Sequence, residues 1–340
     1  MAPWVFFVAA TLAIPPASQR VDFSLSPSSG HLPNLVLVKV YKASSTTCAS
    51  IVRRIGTNYG LTGANDSAWI MAEPGVWADH EPRCGLDRGI SALQLPTFML
   101  TSVRDPLSRC LSYYYYSLSF SSIFAGSIFD LPDSMNTTAG KLRYMRENCS
   151  DYQYHYIARS EDDRGKCDSM TRVSGGDESA GEISDAQVER DVEAVAAQYD
   201  LIAVAERIDE SAVVLAHELG VEYSDVLYVP ERVAGDSHPS FETEPIEVRT
   251  YAAGAFRQRN RRDYLLHQRA TSLLEARMRA WAGFNASFAR YSAVEDRVRA
   301  ECDSEPCYGR SLFSCHYECI DRLVADAVST GNGSVTATEP

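Results

Sequence analysis

The sequence predicts an α/β protein, a mostly parallel sheet with flanking helices. Three strand-like runs, residues 35–40, 97–103 and 200–205, carry that prediction, the first and third dominated by Val, Leu, Ile and Ala. Each is followed within a few residues by a helical pattern, so strands and helices alternate along the chain. No internal repeat or heptad pattern competes with this arrangement. At 340 residues the chain can bury a substantial core, and residues 32–295 are read as one domain followed by a cysteine-containing tail, 296–340.

Residues 3–14 form an apolar run that ends at Pro15-Pro16. It is shorter than the roughly twenty residues a bilayer span needs. With Ala17 and Ser18 behind it, the run fits a secretory h-region, although no basic cluster precedes it. Residues 1–18 are therefore expected to be a signal peptide or a short membrane anchor, the latter tying the protein to a membrane. Sequons at Asn65, Asn136, Asn148, Asn285 and Asn332 and a total of nine cysteines point to the same secretory route. Cys302, Cys307, Cys315 and Cys319 cluster, but their spacing matches no standard zinc finger, and disulfides are the favoured reading. An odd count leaves a thiol unpaired, and Cys48 is a candidate for a merely packed cysteine.

The first strand, 35–40, leads into Lys42-Ala43-Ser44-Ser45-Thr46-Thr47, one cation and four hydroxyls in six residues. A helix over 48–57 follows, with Ile51, Val52 and Ile55 on one face. Strand, hydroxyl-rich turn and helix can aim backbone N–H groups and a helix N-terminus at an anion. A Walker loop would need glycines that are missing before Lys42. The alternative is a core strand with a Ser/Thr N-cap.

Between the first two strands, 68–72 reads as a further strand and Glu73-Pro74-Gly75 as a turn. His80 stands out next, between Asp79 and Glu81. An imidazole, with its ordinary pKa of about 6.5, suits a general base; the alternative is an exposed loop histidine. The strand 97–103 ends in Arg104-Asp105-Pro106, where Pro106 suits the first position of a helix running to about 120. That helix carries a Tyr113–Tyr116 stripe, and Ser112 lies eight residues past Arg104.

Residues 121–148 read as loop-rich, and 151–159 as a helix whose tyrosines face the core or, alternatively, a sugar. Residues 160–184 are charged and Gly/Ser-rich, the pattern of a surface insertion. An amphipathic helix is expected over 185–198, the third strand over 200–205, a helix over 211–219, a short strand over 224–230 and a long helix over 263–288. His217-Glu218 lacks the second histidine of a zincin. The net charge of −13 argues against nucleic acid as a partner.

Lys-x-x-Ser-Ser after one strand, then Arg-Asp-Pro with a serine eight past the arginine after another, resembles the sulfotransferases that use 3′-phosphoadenosine 5′-phosphosulfate. The stretches beginning Leu37-Val-Lys-Val-Tyr-Lys-Ala-Ser-Ser-Thr, Tyr199-Asp-Leu-Ile-Ala-Val-Ala-Glu-Arg-Ile-Asp-Glu-Ser and Phe284-Asn-Ala-Ser-Phe are similar to the galactose 3-O-sulfotransferases, the galactosylceramide sulfotransferase family. The resemblance implies a P-loop-like sulfotransferase fold, a Golgi location and a galactosylated glycolipid or glycan as acceptor. It assigns the 5′-phosphosulfate to Lys39, Lys42, Ala43, Ser44, Ser45, Thr46 and Thr47, and the 3′-phosphate to Arg104 and Ser112. Catalysis falls to Lys42 and His80, with no metal. Tyr41 departs from the histidine usual there, and 160–184 has no clear counterpart. The stretch from Arg104 to Tyr115 also resembles the uronyl 2-O-sulfotransferases, which leaves a uronic-acid polysaccharide as the alternative acceptor. A P-loop nucleotide kinase and an inactive secreted carbohydrate-binding relative are the alternatives from other classes.

Overall fold

The computed structural model describes residues 32–61, 63, 75–80, 83, 96–121, 135–158, 184–230, 239–303 and 316–329. Four strands make one sheet: β1 (Asn34–Val38), β2 (Val76–Asp79), β3 (Thr97–Val103) and β4 (Leu201–Val204). All pairings are parallel, in the order β2-β1-β3-β4, with Leu37 opposite both Ala78 and Leu100, and Thr101 opposite Ile202. Every residue of β1 and β4 is buried. A parallel sheet is covered on both faces, which is why these strands read as continuous apolar runs rather than as alternating ones. The α/β class expected from the sequence is the one observed.

Helix α1 (Ser45–Asn58) follows β1 and is buried along most of its length. Two buried arginines on it find polar partners: Arg53 Nη2 donates to the Ala78 carbonyl (3.2 Å) and Arg54 Nη2 to Asp321 Oδ1 (2.5 Å). Helix α2 (Pro106–Ser121) opens at Pro106 as expected, with Asp105 Oδ1 accepting from the Ser108 N–H at 2.8 Å. Next come α3 (Thr138–Asn148), α4 (Tyr152–Ile157), α5 (Asp185–Ala196), α6 (Ile208–Leu219) and α7 (Ile246–Tyr251). A π-helical turn (Ala252–Phe256) and a single helical turn (Arg257–Arg259) carry the chain from α7 into α8 (Arg261–Ala280), and α9 (Phe284–Cys302) and α10 (Tyr317–Ser329) follow.

Several expectations are corrected. Residues 76–79 form a strand that the sequence reading passed over, while the strand expected at 68–72 lies outside the described residues. Within the loop-rich stretch 121–148, α3 forms, because Thr137 caps it through the Gly140 N–H (3.0 Å) and Cys149 ties its end to Cys110 of α2. No strand forms over 224–230. A 3-10 turn, Tyr223–Val226, takes its place, with Glu222 and Asp225 satisfying each other's main-chain groups as a capping box. The long helix expected over 263–288 is two helices, α8 and α9. Trp281 leaves the helical conformation at the break, and its indole stacks on His217, 4.0 Å between ring centroids.

The C-terminal helix α10 is docked rather than trailing. Cys319 bonds to Cys302, Tyr317 Oη donates to the Ser50 carbonyl (2.7 Å), and Ile320 and Leu323 enter the main core. The two disulfides fit an oxidising compartment. Cys48 is a buried free thiol, and burial pushes its pKa up to about 12, so it stays protonated and packed. Among the described residues no helix is long and apolar enough to cross a membrane. The expected leader 1–18, most of the insertion 160–184, and Cys84, Cys167, Cys307 and Cys315 lie outside the described residues.

Candidate functional site

The carboxyl end of each strand delivers one polar candidate. His80 follows β2, Lys42 sits in the loop after β1, Arg104 directly follows β3, and Glu206 comes just after β4. From β1 the chain goes to β2 on one side and returns to β3 on the other, so the switch point of the topology falls between β1 and β3. Open α/β sheets bind ligands in the crevice such a reversal leaves. A cavity of about 430 Å3 lies here. The loop residues Lys42, Ser44, Ser45, Thr46 and Thr47 line it, as do Arg104, Ser112 and His80.

The loop is built without glycine, at a conformational cost. Lys42 and Ser44 both occupy the left-handed region, with φ of 63° and 56°. Each such non-glycine residue costs about 1–2 kcal/mol. Left-handed residues interleaved with ordinary ones turn N–H groups toward a common side, the arrangement of an anion-binding nest. Helix α1 then begins with no side-chain bond from Ser44 and no acidic residue in its first turn. Ser44 is thus not the side-chain N-cap that the alternative reading required. The positive end of α1 opens into the cavity instead.

Two of the expected donor-binding residues stand behind the cavity rather than in its wall. Ala43 is fully buried and its N–H donates to the Val40 carbonyl at 3.4 Å. Lys39 is buried too, and it reaches the site through its main chain. Its carbonyl lies 2.7 Å from His80 Nδ1. A carbonyl only accepts, so Nδ1 carries the proton and the neutral ring keeps its lone pair on Nε2. Tyr41 stacks on the same imidazole, 3.8 Å between centroids and 6° from parallel. His80 is therefore an oriented cavity residue, not an exposed loop histidine.

Arg104 Nη1 donates to the Lys42 carbonyl at 3.3 Å. Burial lowers its pKa from the ordinary value, and the nearby carboxylates of Glu206 and Asp105 oppose that shift. Glu206 itself feels burial pushing its carboxyl up, but hydrogen bonds from His267 and from the Asp105 N–H outweigh this and hold it below the usual range. The cavity thus combines two cations with one ionised acid at its β4 end. Among the described residues, no cluster of three or more His, Cys, Asp or Glu side chains is placed to hold a metal ion.

Sequence reasoning missed Glu206, Tyr116 and Tyr228 as cavity residues. Glu206 had a usable signal, since it is the first charged residue past a strand end. Tyr116 lies in the tyrosine stripe, with the Lys42 ammonium 4.3 Å from its ring centroid. Tyr228 offered none, because its place depends on Asp209 and Arg299, which bind its hydroxyl at 2.8 and 2.9 Å. The tyrosines of α4 settle on the core side: Tyr152 and Tyr156 are buried.

No protein-family model matches the chain, and no curated protein matches it.

Proposed function

We propose that this protein is a carbohydrate sulfotransferase. It moves a sulfuryl group from 3′-phosphoadenosine 5′-phosphosulfate to a hydroxyl of a galactose-containing glycolipid or glycan, the galactose 3-OH, in the Golgi. The observation that carries the reading is the convergence of the Lys42–Thr47 loop, Arg104, Ser112 and His80 on one cavity at the switch point. The motif resemblance gives these residues distinct tasks, and the cavity chemistry suits each of them.

The main-chain N–H groups at the start of α1 and the Lys42 ammonium bind the phosphosulfate. Arg104, with a planar fork suited to phosphate, and the Ser112 hydroxyl bind the 3′-phosphate. His80 Nε2 takes the proton of the acceptor hydroxyl as its oxygen forms the new bond to sulfur. The bond from sulfur to the bridging phosphate oxygen breaks, and Lys42 stabilises the charge left there, a contribution of a few kcal/mol, roughly. The products are the sulfated sugar and 3′-phosphoadenosine 5′-phosphate.

The test is transfer of radiolabelled sulfate to galactosylceramide, lactose-type oligosaccharides and a desulfated uronic-acid glycan, with Lys42→Ala in parallel. Label on galactose that the variant fails to transfer is the expected result. Label on the uronic-acid glycan would keep the chemistry and replace the acceptor. No transfer and no binding of 3′-phosphoadenosine 5′-phosphate would refute the reading.

A further inference from the structure

Arg104 is the first residue beyond the sheet. Pairing of β3 with β4 ends at Val103 opposite Val204, and pairing with β1 ends at Thr101 opposite Val38. The Arg104 main chain therefore has no strand partner, yet its N–H and C=O sit in a part-buried place where unpaired polar groups are costly. One side chain binds both. The Arg104 N–H donates to Gln153 Oε1 at 2.8 Å, and Gln153 Nε2 donates to the Arg104 carbonyl at 2.8 Å. The Gln153 amide thus replaces the missing strand neighbour.

Gln153 is itself held on all sides. It is fully buried, within the six-residue helix α4. The start of that helix is pinned from α8: the Gln153 and Tyr154 N–H groups donate to the Asp263 carboxylate at 3.1 and 2.7 Å. Asp151 answers by accepting from the Asp263 N–H at 3.2 Å. A rigid path then runs from α8 through Asp263 and Gln153 to the Arg104 main chain, and on to the guanidinium that reaches the Lys42 carbonyl.

We infer that Gln153 is a positioning residue for Arg104. It does not line the cavity. It sets where the Arg104 guanidinium stands by fixing the main chain that carries it. The amide is needed for chemical and not only steric reasons, because one edge must accept and the other must donate. A carboxylate would face the Arg104 carbonyl with a second acceptor. A protonated carboxyl would restore the pattern, its C=O accepting from the N–H and its O–H donating to the carbonyl. Leucine fills similar space and offers neither bond.

The experiment compares wild type, Gln153→Glu and Gln153→Leu in two readouts. The nucleotide readout rests on the proposed sulfotransferase reading; the exchange readout does not. Binding of 3′-phosphoadenosine 5′-phosphate is measured by calorimetry in mildly acidic and in alkaline buffer. In alkaline buffer both variants are expected to bind about tenfold more weakly or worse, the effect of losing one or two hydrogen bonds at a buried site. In acid, Gln153→Glu recovers most of the wild-type affinity and Gln153→Leu does not. The carboxyls of Asp263 and Asp151, raised by burial and faced by the charges of Arg109 and Arg262, also change protonation between these buffers, so each variant is read against wild type at the same pH and Gln153→Leu reports their effect alone. Wild-type affinity in Gln153→Leu, or identical pH profiles for the two variants, would overturn the inference. Hydrogen exchange of the peptide containing the Arg104 amide gives the second answer with no nucleotide present. Protection in wild type that is lost in Gln153→Leu supports the positioning role, and equal protection overturns it. If wild type binds no nucleotide, the sulfotransferase reading fails, while the exchange result still decides the role of Gln153.

Discussion

The Arg104 guanidinium donates to the Lys42 main-chain carbonyl at 3.3 Å and so joins the loops after β3 and β1 across the switch point. One arginine can do this and still present its remaining N–H groups to a ligand, because its five donors are spread over a fixed fork. A lysine has a point charge and must choose. Arg104→Lys is therefore expected to weaken binding of 3′-phosphoadenosine 5′-phosphate by about tenfold or more despite the retained charge. Arg104→Ala should be worse still. Calorimetric affinities for the two variants check this, and wild-type affinity in Arg104→Lys would remove the fork from the account.

Lys42 combines a strained backbone with the proposed charge on the leaving oxygen, and two substitutions separate them. Lys42→Ala removes the ammonium and keeps the strain; Lys42→Gly removes both. Turnover should fall by at least about a hundredfold in each. The glycine variant should nonetheless be the more stable of the two, by up to about 1 kcal/mol, since glycine adopts φ of 63° freely. Urea denaturation beside a transfer assay tests both halves. A less stable glycine variant would mean that its greater unfolded-state freedom outweighs the relief of strain.

His80 is oriented by the Lys39 carbonyl and the Tyr41 ring, and it is assigned proton removal alone. His80→Ala should lower kcat by about a hundredfold to ten-thousandfold and leave nucleotide affinity near wild type. The wild-type rate should fall in acid as the imidazole gains a proton, and that limb should vanish in the variant. A limb that persists would point to another base.

The fold and the cavity's first wall were legible because both are local in sequence. Residues 35–47 show an apolar run, a cation and hydroxyls in order, and Arg104-Asp105-Pro106 marks a strand end and a helix start. What failed to show depends on distant partners. Strand β2 is four residues long and carries no repeat pattern of its own; it is a strand because β1 pairs with it. The break between α8 and α9 sets Trp281 against His217, far away in the chain, and its one local mark is Gly283, which caps α9. Nothing in the sequence around Gln153 marks it out, and only the Arg104 main chain, which it pairs, gives it a task.

The Cys302–Cys319 bond closes a loop with a sequence separation of 17 and fastens α10 to α9. Constraining a loop of that size in the unfolded chain contributes about 3 kcal/mol on the chain-entropy account. Cys319→Ser should lower stability by about that amount. Because α10 also holds α1 through Asp321 and Tyr317, part of the loss should reach α1. Hydrogen exchange should therefore rise in the peptides covering Arg54 and Ser50, and unchanged exchange there would confine the effect to the tail.

Glu295 on α9 links stability to pH on the far side of the cavity. Its Oε2 accepts from the N–H of Tyr228, a cavity residue, at 3.3 Å, and its Oε1 accepts from Arg299 Nε at 3.1 Å. Those two bonds favour the carboxylate, yet burial wins and raises the pKa from 4.5 to about 8, with the Asp209 charge adding to the rise. Arg299 also holds its proton more firmly: burial opposes its charge, but it is less buried than Glu295, and Tyr228, Asp209 and Glu295 together outweigh that burial. An acid with a raised folded-state pKa binds its proton more tightly in the folded protein. The stability it contributes is complete below about pH 4.5 and is lost as pH rises through about 8. Glu295→Gln cannot titrate and gives up one good hydrogen bond. It should be less stable than wild type in acid, and the gap should narrow or reverse toward pH 8, by at most about 1.4 kcal/mol per pH unit within the window. Urea melts at several pH values measure the gap directly. Parallel curves for the two proteins would mean that Glu295 is ionised throughout and that its pairing with Arg299 overcomes burial.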